Sequence, residues 1–224
     1  MKKFFLTLVV ALMSVPTFAQ YSSGGFSLSG SSVYYGIRLG GAIAGVSTDP
    51  NQHLGSKFGL TLGGVVGIRL SDATPLFLES GLYFSGRGGK HDYTDENGDK
   101  VKDNLGLNYL EIPILIKYGI QATDDIHVLP FVGPTFALGI AGKNKTEIAG
   151  TTVSKESSFT KSGGFRPFDM GIKIGCGAEY NMVYLELGYQ FGLANIARSY
   201  EDNGKNYDPS AHNHNFFFNI GVNF

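Results

Sequence analysis

The chain has 224 residues, 18 lysines and arginines against 19 aspartates and glutamates, a formal net charge of −1, 32 glycines, 13 % aromatic residues and no tryptophan. That balance excludes a disordered tail and a nucleic-acid binder, both of which need a far stronger charge bias. Cys176 is the single cysteine, so an intramolecular disulfide is excluded, and with it the small disulfide-stapled secreted scaffold.

The opening MKKFFLTLVVALMSVPTFAQ has two lysines, an apolar run from Phe4 to Met13, the helix breaker Pro16 and small residues at Thr17 and Ala19. This is the layout of a secretory signal peptide over 1–19, cleaved after Ala19, with a Gly/Ser-rich periplasmic tail over 20–32 and a barrel over 33–224. After the signal no stretch reaches the roughly 18 consecutive apolar residues of a spanning helix, so insertion into a membrane has to be by strands.

From Val33 the chain alternates. Val33, Tyr35, Ile37, Leu39, Gly41 and Ile43 share one face, and Tyr34, Gly36, Arg38, Gly40, Ala42 and Ala44 the other. The same period of two sets Phe58, Leu60, Leu62, Val66 and Ile68 against Gly59, Thr61, Gly63, Gly67 and Arg69, and then Leu76, Leu78, Leu82 and Phe84 against Phe77, Glu79, Gly81, Tyr83 and Ser85. A fourth strand at 107–118 sets Leu110, Ile112, Ile114, Ile116 and Tyr118 against Asn108, Glu111, Pro113, Leu115 and Lys117. The fifth, about 126–140, is the least clear, because Pro130 and Pro134 remove ladder donors and its alternation is ambiguous. The sixth opposes Phe168, Met170, Ile172, Ile174 and Tyr180 to Asp169, Gly171, Lys173, Gly175, Gly177 and Glu179. The seventh opposes Val183, Leu185, Leu187 and Phe191 to Tyr184, Glu186, Gly188 and Gln190. The eighth is the ending, with Phe216, Phe218, Ile220, Val222 and Phe224 on one face and Asn215, Phe217, Asn219, Gly221 and Asn223 on the other.

Connections alternate in length: 71–75, 119–125 and 181–182 are short, whereas 47–57, 87–105, 141–166 and 197–214 are long and polar. Eight strands with short and long ends predict an all-β fold, an eight-stranded antiparallel up-and-down transmembrane β-barrel of the outer membrane with four long outer loops and short periplasmic turns. A soluble lipocalin-like barrel shares the periodicity. The second face decides between them: it carries glycine and alanine with one or two charges per strand, which suits the cramped interior of an eight-stranded barrel better than a wetted surface. Its charges nearly cancel, with Arg38, Arg69, Lys117 and Lys173 facing Glu79, Glu111, Asp169, Glu179 and Glu186, and a lumen network of salt bridges and hydrogen bonds is expected. Aromatic residues near strand ends, namely Tyr34, Tyr35, Phe58, Phe84, Tyr109, Tyr118, Phe168, Tyr180, Phe191 and Phe216, are candidates for interfacial girdles.

The stretch Leu110-Glu111-Ile112-Pro113-Ile114-Leu115-Ile116-Lys117-Tyr118, the Gly133-Pro134 step, Phe168-Asp169-Met170-Gly171 and the terminal strand ending in Phe224 resemble the PorT-like outer-membrane β-barrel proteins of Bacteroidetes-type bacteria, over about 33–224. The resemblance implies a small barrel, with Phe224 as the signal read by the barrel assembly machinery. It implies no particular reaction, and the family's name suggests a component of a secretion or transport system.

Chemistry is sparse. His53, His91, His212 and His214 fall in long loops and His127 near a short turn; a loop-borne hydrolase or acyltransferase would have to use His91-Asp92 with His212 or His214. The acidic run Asp92 to Asp99 lacks calcium-loop order, and Asn97-Gly98 reads as a hairpin turn. The chain is therefore read as a non-enzyme without metal or cofactor, a monomer in outer-membrane lipid, acting through its outer loops as an envelope-structure, adhesion or interaction module toward a protein or glycan. A secretion component, a small pore and a loop-borne enzyme are the alternatives.

Overall fold

The computed structural model describes residues 33–49, 54–71, 73–95, 98–160, 164–202 and 204–224. The expected signal peptide and periplasmic tail lie outside the described residues, as do His53 and Asn97. The strands are β1 (Val33–Asp49), β2 (Gly55–Arg69), β3 (Leu76–Thr94), β4 (Lys100–Tyr118), β5 (Ile120–Gln121), β6 (Ile126–Ile148), β7 (Thr151–Ser157), β8 (Phe168–Tyr180), β9 (Val183–Gly192), β10 (Tyr200–Asp202), β11 (Lys205–Tyr207) and β12 (Ser210–Asn223).

Eight of these form an antiparallel ring in the order β1, β2, β3, β4, β6, β8, β9, β12, and β12 closes it on β1. The seam runs from Gly36 opposite Asn223 to Asp49 opposite Ser210, and Tyr35 and Phe224 exchange backbone hydrogen bonds at its lower end. Closure removes every sheet edge from this part of the molecule.

The alternation resolves with its apolar face outward. Leu60 is 62 % exposed and Ile220 53 %, whereas Arg38 and Lys117 are fully buried. This inverts a soluble fold, and the greasy face is a band that water does not suit. Inside, large side chains fit because small ones stand beside them. A Cβ on Gly67 would lie 2.1 Å from the Tyr34 ring, one on Gly63 2.5 Å from Tyr83, and one on Gly177 2.1 Å from the Tyr184 hydroxyl.

Several strands outrun their expected limits. β3 reaches Thr94, β4 begins at Lys100 and β6 continues to Ile148, so much of the expected loops at 87–105 and 141–166 is sheet. The outward face of these upper segments is polar and the inward face mixes buried Val101 and Leu105 with glycine and polar residues such as Gly89, Asp103 and Gly142, so little apolar contrast marks them. Gly88 sits at φ +137°, where a Cβ would lie 2.1 Å from the Leu105 carbonyl oxygen; it falls within the register shift between β2 and β3, a bulge position open to glycine. β4 alternates regularly, with Leu107, Tyr109, Glu111, Leu115 and Lys117 inward, so Asn108 points outward instead of sharing the face of Glu111; the register shift beside it places the extra residue, Ile140, on β6. In β6, Pro130 and Pro134 face outward and Leu129, Phe131, Thr135 and Ala137 inward, and the mix of inward apolar residues explains the blurred alternation. Tyr34 and Tyr109 are buried in the lumen and do not join a girdle; the other eight candidate aromatics are exposed.

An arginine at mid-band tests the outward assignment. Leu39→Arg or Ile220→Arg is expected to destabilise the barrel by about 2–4 kcal/mol, and Val153→Arg in the protruding β7 by less than about 0.5 kcal/mol, measured as denaturant midpoints in lipid vesicles.

Candidate functional site

The lumen is stacked in layers. At the short-turn end Tyr34, Phe77, Leu129 and Tyr184 form an apolar floor. Above it, Arg38 on β1, Glu79 on β3, Lys117 on β4 and Glu186 on β9 converge. Tyr34 donates its hydroxyl to Glu79 Oε2 at 2.8 Å, Lys117 Nζ lies 2.8 Å from Glu79 Oε1 and 3.9 Å from Glu186 Oε2, and Arg38 Nη2 lies 3.6 Å from Glu79 Oε2. Lys117 also donates to the Tyr184 hydroxyl at 2.8 Å, and the Arg38 guanidinium stacks 4.1 Å above the Tyr184 ring. Amides spread the charge: Arg38 donates to Asn223 at 2.7 Å, Asn223 donates to Glu179, and Asn219 donates to Glu186 at 2.7 Å.

A middle layer of Ala42, Leu115, Phe131 and Phe217 separates this group from a second one. There Arg87 donates to Asp169 Oδ2 at 2.8 Å and to Glu111, and Lys173 donates to Glu111 Oε1 at 2.7 Å. Gln190 donates to Thr135 at 2.8 Å, and Asn213 donates to Asp169 at 2.9 Å. The upper layer sets two cations against two carboxylates, and the lower sets Arg38 and Lys117 against Glu79, Glu179 and Glu186. Charges so buried persist because each finds an opposite charge or a polar hydrogen.

Of the sequence candidates, Arg38, Glu79, Glu111, Lys117, Asp169, Lys173, Glu179 and Glu186 point into the ring and are at most 7 % exposed. Arg69 shares their face but sits half-buried at the short-turn rim, donating to Ser71 O at 2.9 Å with its guanidinium 5.9 Å from the Phe77 ring centre. Arg87 was missed, since it fell in the expected loop; the unbroken inward series Phe77, Glu79, Gly81, Tyr83, Ser85, Arg87 was the available signal. Phe224 closes the seam through its backbone and exposes its ring.

The outer mouth is capped. Ile196 and Ala197 pack with Val46, Leu105, Leu107, Tyr109, Ala137 and Ala211, and Leu54, Phe159 and Phe165 lie against them. Arg166 N donates to Ile196 O at 2.7 Å and Arg198 N to Gly164 O at 2.9 Å, tying the two covering segments together.

The histidines separate. The His91 ring lies 5.0 Å from that of Tyr93 on β3, while His212 and His214 stand on the outer face of β12, with β1 and β2 between the two groups. The arrangement of His91-Asp92 with His212 or His214 is thus not assembled. His214 instead meets Ser47 on β1, with Oγ 3.3 Å from Nδ1. Asp95 accepts from Gly98 N at 3.1 Å and exchanges bonds with Asp99, closing a hairpin turn with Gly98 at φ +86°. Among the described residues no group of three or more His, Cys, Asp or Glu is placed to hold a metal ion.

A closed ring with an apolar exterior and a charged, filled interior defines a transmembrane β-barrel. The chain belongs to the family described as outer membrane protein beta-barrel domain, whose model matches residues 18–198, and it is an integral outer-membrane protein. No curated protein matches its sequence. Among solved structures it is similar to OprG from Pseudomonas aeruginosa (12 % identity over 89 % of this chain and 99 % of that one, TM-score 0.49). It is also similar to Neisserial surface protein A (16 %, 87 % and 98 %, 0.46) and to Ail of Yersinia pestis, solved with the heparin analogue sucrose octasulfate (10 %, 87 % and 100 %, 0.44). Likeness at this level carries no argument about what this chain does.

Removing one member of a buried layer should cost more than removing the layer's charge altogether. Arg87→Met, which strands Asp169, is expected to lower stability by about 3–5 kcal/mol, and adding Asp169→Asn to recover at least half of it. The readout is the heating midpoint of the unboiled, fast-migrating form on detergent gels.

Proposed function

We propose that this protein is a sealed outer-membrane anchor that displays a protein-interaction surface, an envelope or adhesion module without conduction or catalysis in its lumen. The single observation carrying this reading is the sheet that rises from one side of the mouth. β3, β4 and β6 run on past the apolar band, β7 pairs with β6 along one edge, and every residue of Thr151–Ser157 is exposed. A strand paired on one side offers free backbone donors and acceptors to an extended segment of a partner. On β6 Lys145 donates to Glu147, a hydrogen bond that holds the Glu147 carboxyl below its ordinary range.

The filled layers and the cap favour this over a small pore, since eight strands leave room for side chains and little else. The lumen charges serve as structure in this reading: they fix the ring rather than bind a ligand, and Arg38, Arg69, Glu79, Glu111, Lys117, Asp169, Lys173, Glu179 and Glu186 carry that role together with Arg87. Phe224 serves as the assembly signal, and residues 1–19 as the cleaved export signal ahead of a tail at 20–32. The finer resemblance to PorT-like barrels rests on the 110–118 stretch, and a part in secretion would act through the same outer sheet.

Deletion of Glu147–Ser157 is expected to leave the unboiled gel mobility unchanged and to abolish capture of envelope or host-surface proteins by the purified barrel; retained capture counts against the β7 edge. In planar bilayers the intact protein is expected to give no steady conductance, and stepwise currents would favour the pore.

A further inference from the structure

The lipid-facing side of the β12–β1 seam carries a groove that the interaction reading does not use. It encloses about 310 Å³ and is lined by Ser47, Tyr189, Phe191, His212 and His214 with the bare backbone of Gly192. All five side chains point away from the lumen. Ile43 and Phe216 of the apolar band lie one step below, and Asp49 and Ser210, where the strands end, lie one step above. The groove therefore opens sideways at the boundary between hydrocarbon and water on the long-loop side, and it is reached from the leaflet, not from the capped lumen.

Its polar groups are arranged for chemistry. Ser47 Oγ is 3.3 Å from His214 Nδ1, a hydroxyl on an imidazole nitrogen. The imidazole is held on two sides: it lies over Gly45, where a Cβ would come within 2.5 Å of Nε2, and it stacks on Tyr189 at 6.4 Å and 15°. His212 is the direct cross-strand partner of Ser47 and lines the same groove. A hydroxyl and an imidazole fixed by packing stand together, with a second imidazole on the same groove wall, where lipid acyl esters lie.

We propose that Ser47 and His214 form a nucleophile and base acting on acyl esters of outer-leaflet lipids, with His212 donating to the carbonyl oxygen as it gains charge. Ser47 Oγ bonds to the ester carbonyl carbon while its proton passes to His214 Nδ1. The carbon–oxygen bond to the alcohol breaks, and that proton goes to the departing alcohol. Water, reaching the groove from the loop side, then attacks the acyl carbon while giving a proton to His214; the bond from that carbon to Ser47 Oγ breaks, His214 returns the proton to Oγ, and the fatty acid leaves. Phe191 and the band below hold the acyl chain. The ring is steadied by Gly45 and Tyr189 in place of a carboxylate, so turnover is slow.

The test uses the full mature chain folded in detergent micelles, treated with a fluorophosphonate probe and with the octanoyl ester of p-nitrophenol. Labelling and hydrolysis are expected in the wild type and absent in Ser47→Ala. His214→Gln is expected to slow both about a hundredfold or more, the loss of a general base, and His91→Ala to behave as wild type. Unboiled gel mobility confirms that each variant is folded. A folded wild type that is neither labelled nor active overturns the proposal, as does labelling that survives in Ser47→Ala or proceeds at the wild-type rate in His214→Gln. None of these outcomes bears on the β7 edge.

Discussion

The volume inside eight strands is the constraint on which the rest depends. A ring this narrow holds one layer of side chains per level, so each large inward residue requires a small one beside it on the next strand. Tyr34 lies over Gly67, Tyr83 over Gly63 and Tyr184 over Gly177, and Phe217 stands where a Cβ on Gly188 would lie 2.6 Å from its ring. The high glycine count is thus a packing requirement. It also lets long cations cross the lumen: Lys117 reaches Glu79 from the adjacent strand, and Arg87 on β3 reaches Asp169 on β8, across the ring.

Packing so tight leaves no water to solvate those charges, which decides their arrangement. Apolar layers of aromatic rings alternate with charged ones, and rings also stand under the cations, Lys173 lying 4.7 Å above Phe217 and Arg87 5.0 Å from Tyr109. Amides from β12 add hydrogen bonds to these charges, Asn213 to Asp169, Asn219 to Glu186 and Asn223 from Arg38, a role that apolar residues of the same size could not serve. The same filling that stabilises the ring takes up the space that eight strands enclose.

Within the apolar band the sequence was readable because the two faces meet opposite demands: lipid on one side, cramped space on the other. Seven strands showed it, and the parity that put Arg38, Glu79 and Lys173 on the inner face matches their burial. Above the band the outward face meets water and glycine and polar residues interrupt the inward one, so the contrast fades, and β3, β4 and β6 looked like loop for much of their upper length although Val101 and Leu105 are buried there. Arg87, buried between Gly86 and the Gly88-Gly89 pair, was lost to that glycine-rich polar stretch, although its parity was correct. Tyr109 was misjudged although the alternation of β4 is regular, because Asn108 was set on the face of Glu111, one residue out of step. Ser47 and His214 stand far apart in sequence, and their meeting depends on the closing seam.

The border between lipid and water can be traced from strand to strand. On β12 the outward series passes from Ile220, Phe218 and Phe216 to His214 and His212, and on β1 from Leu39 and Ile43 to Ser47 and Asp49. On β6 it passes from Phe136, Leu138 and Ile140 toward the lysines at 143 and 145. The change is abrupt on β6, where the strand continues into a sheet surrounded by water. At the seam it is gradual, and imidazole and hydroxyl groups occupy the level where either solvent can be reached. Amphipathic side chains are stable at such a level, which accounts for their presence there. Their pairing is a separate matter: Gly45 removes the one Cβ that would displace the His214 ring, and this brings a serine hydroxyl and an imidazole nitrogen within reach of each other at the edge of the bilayer.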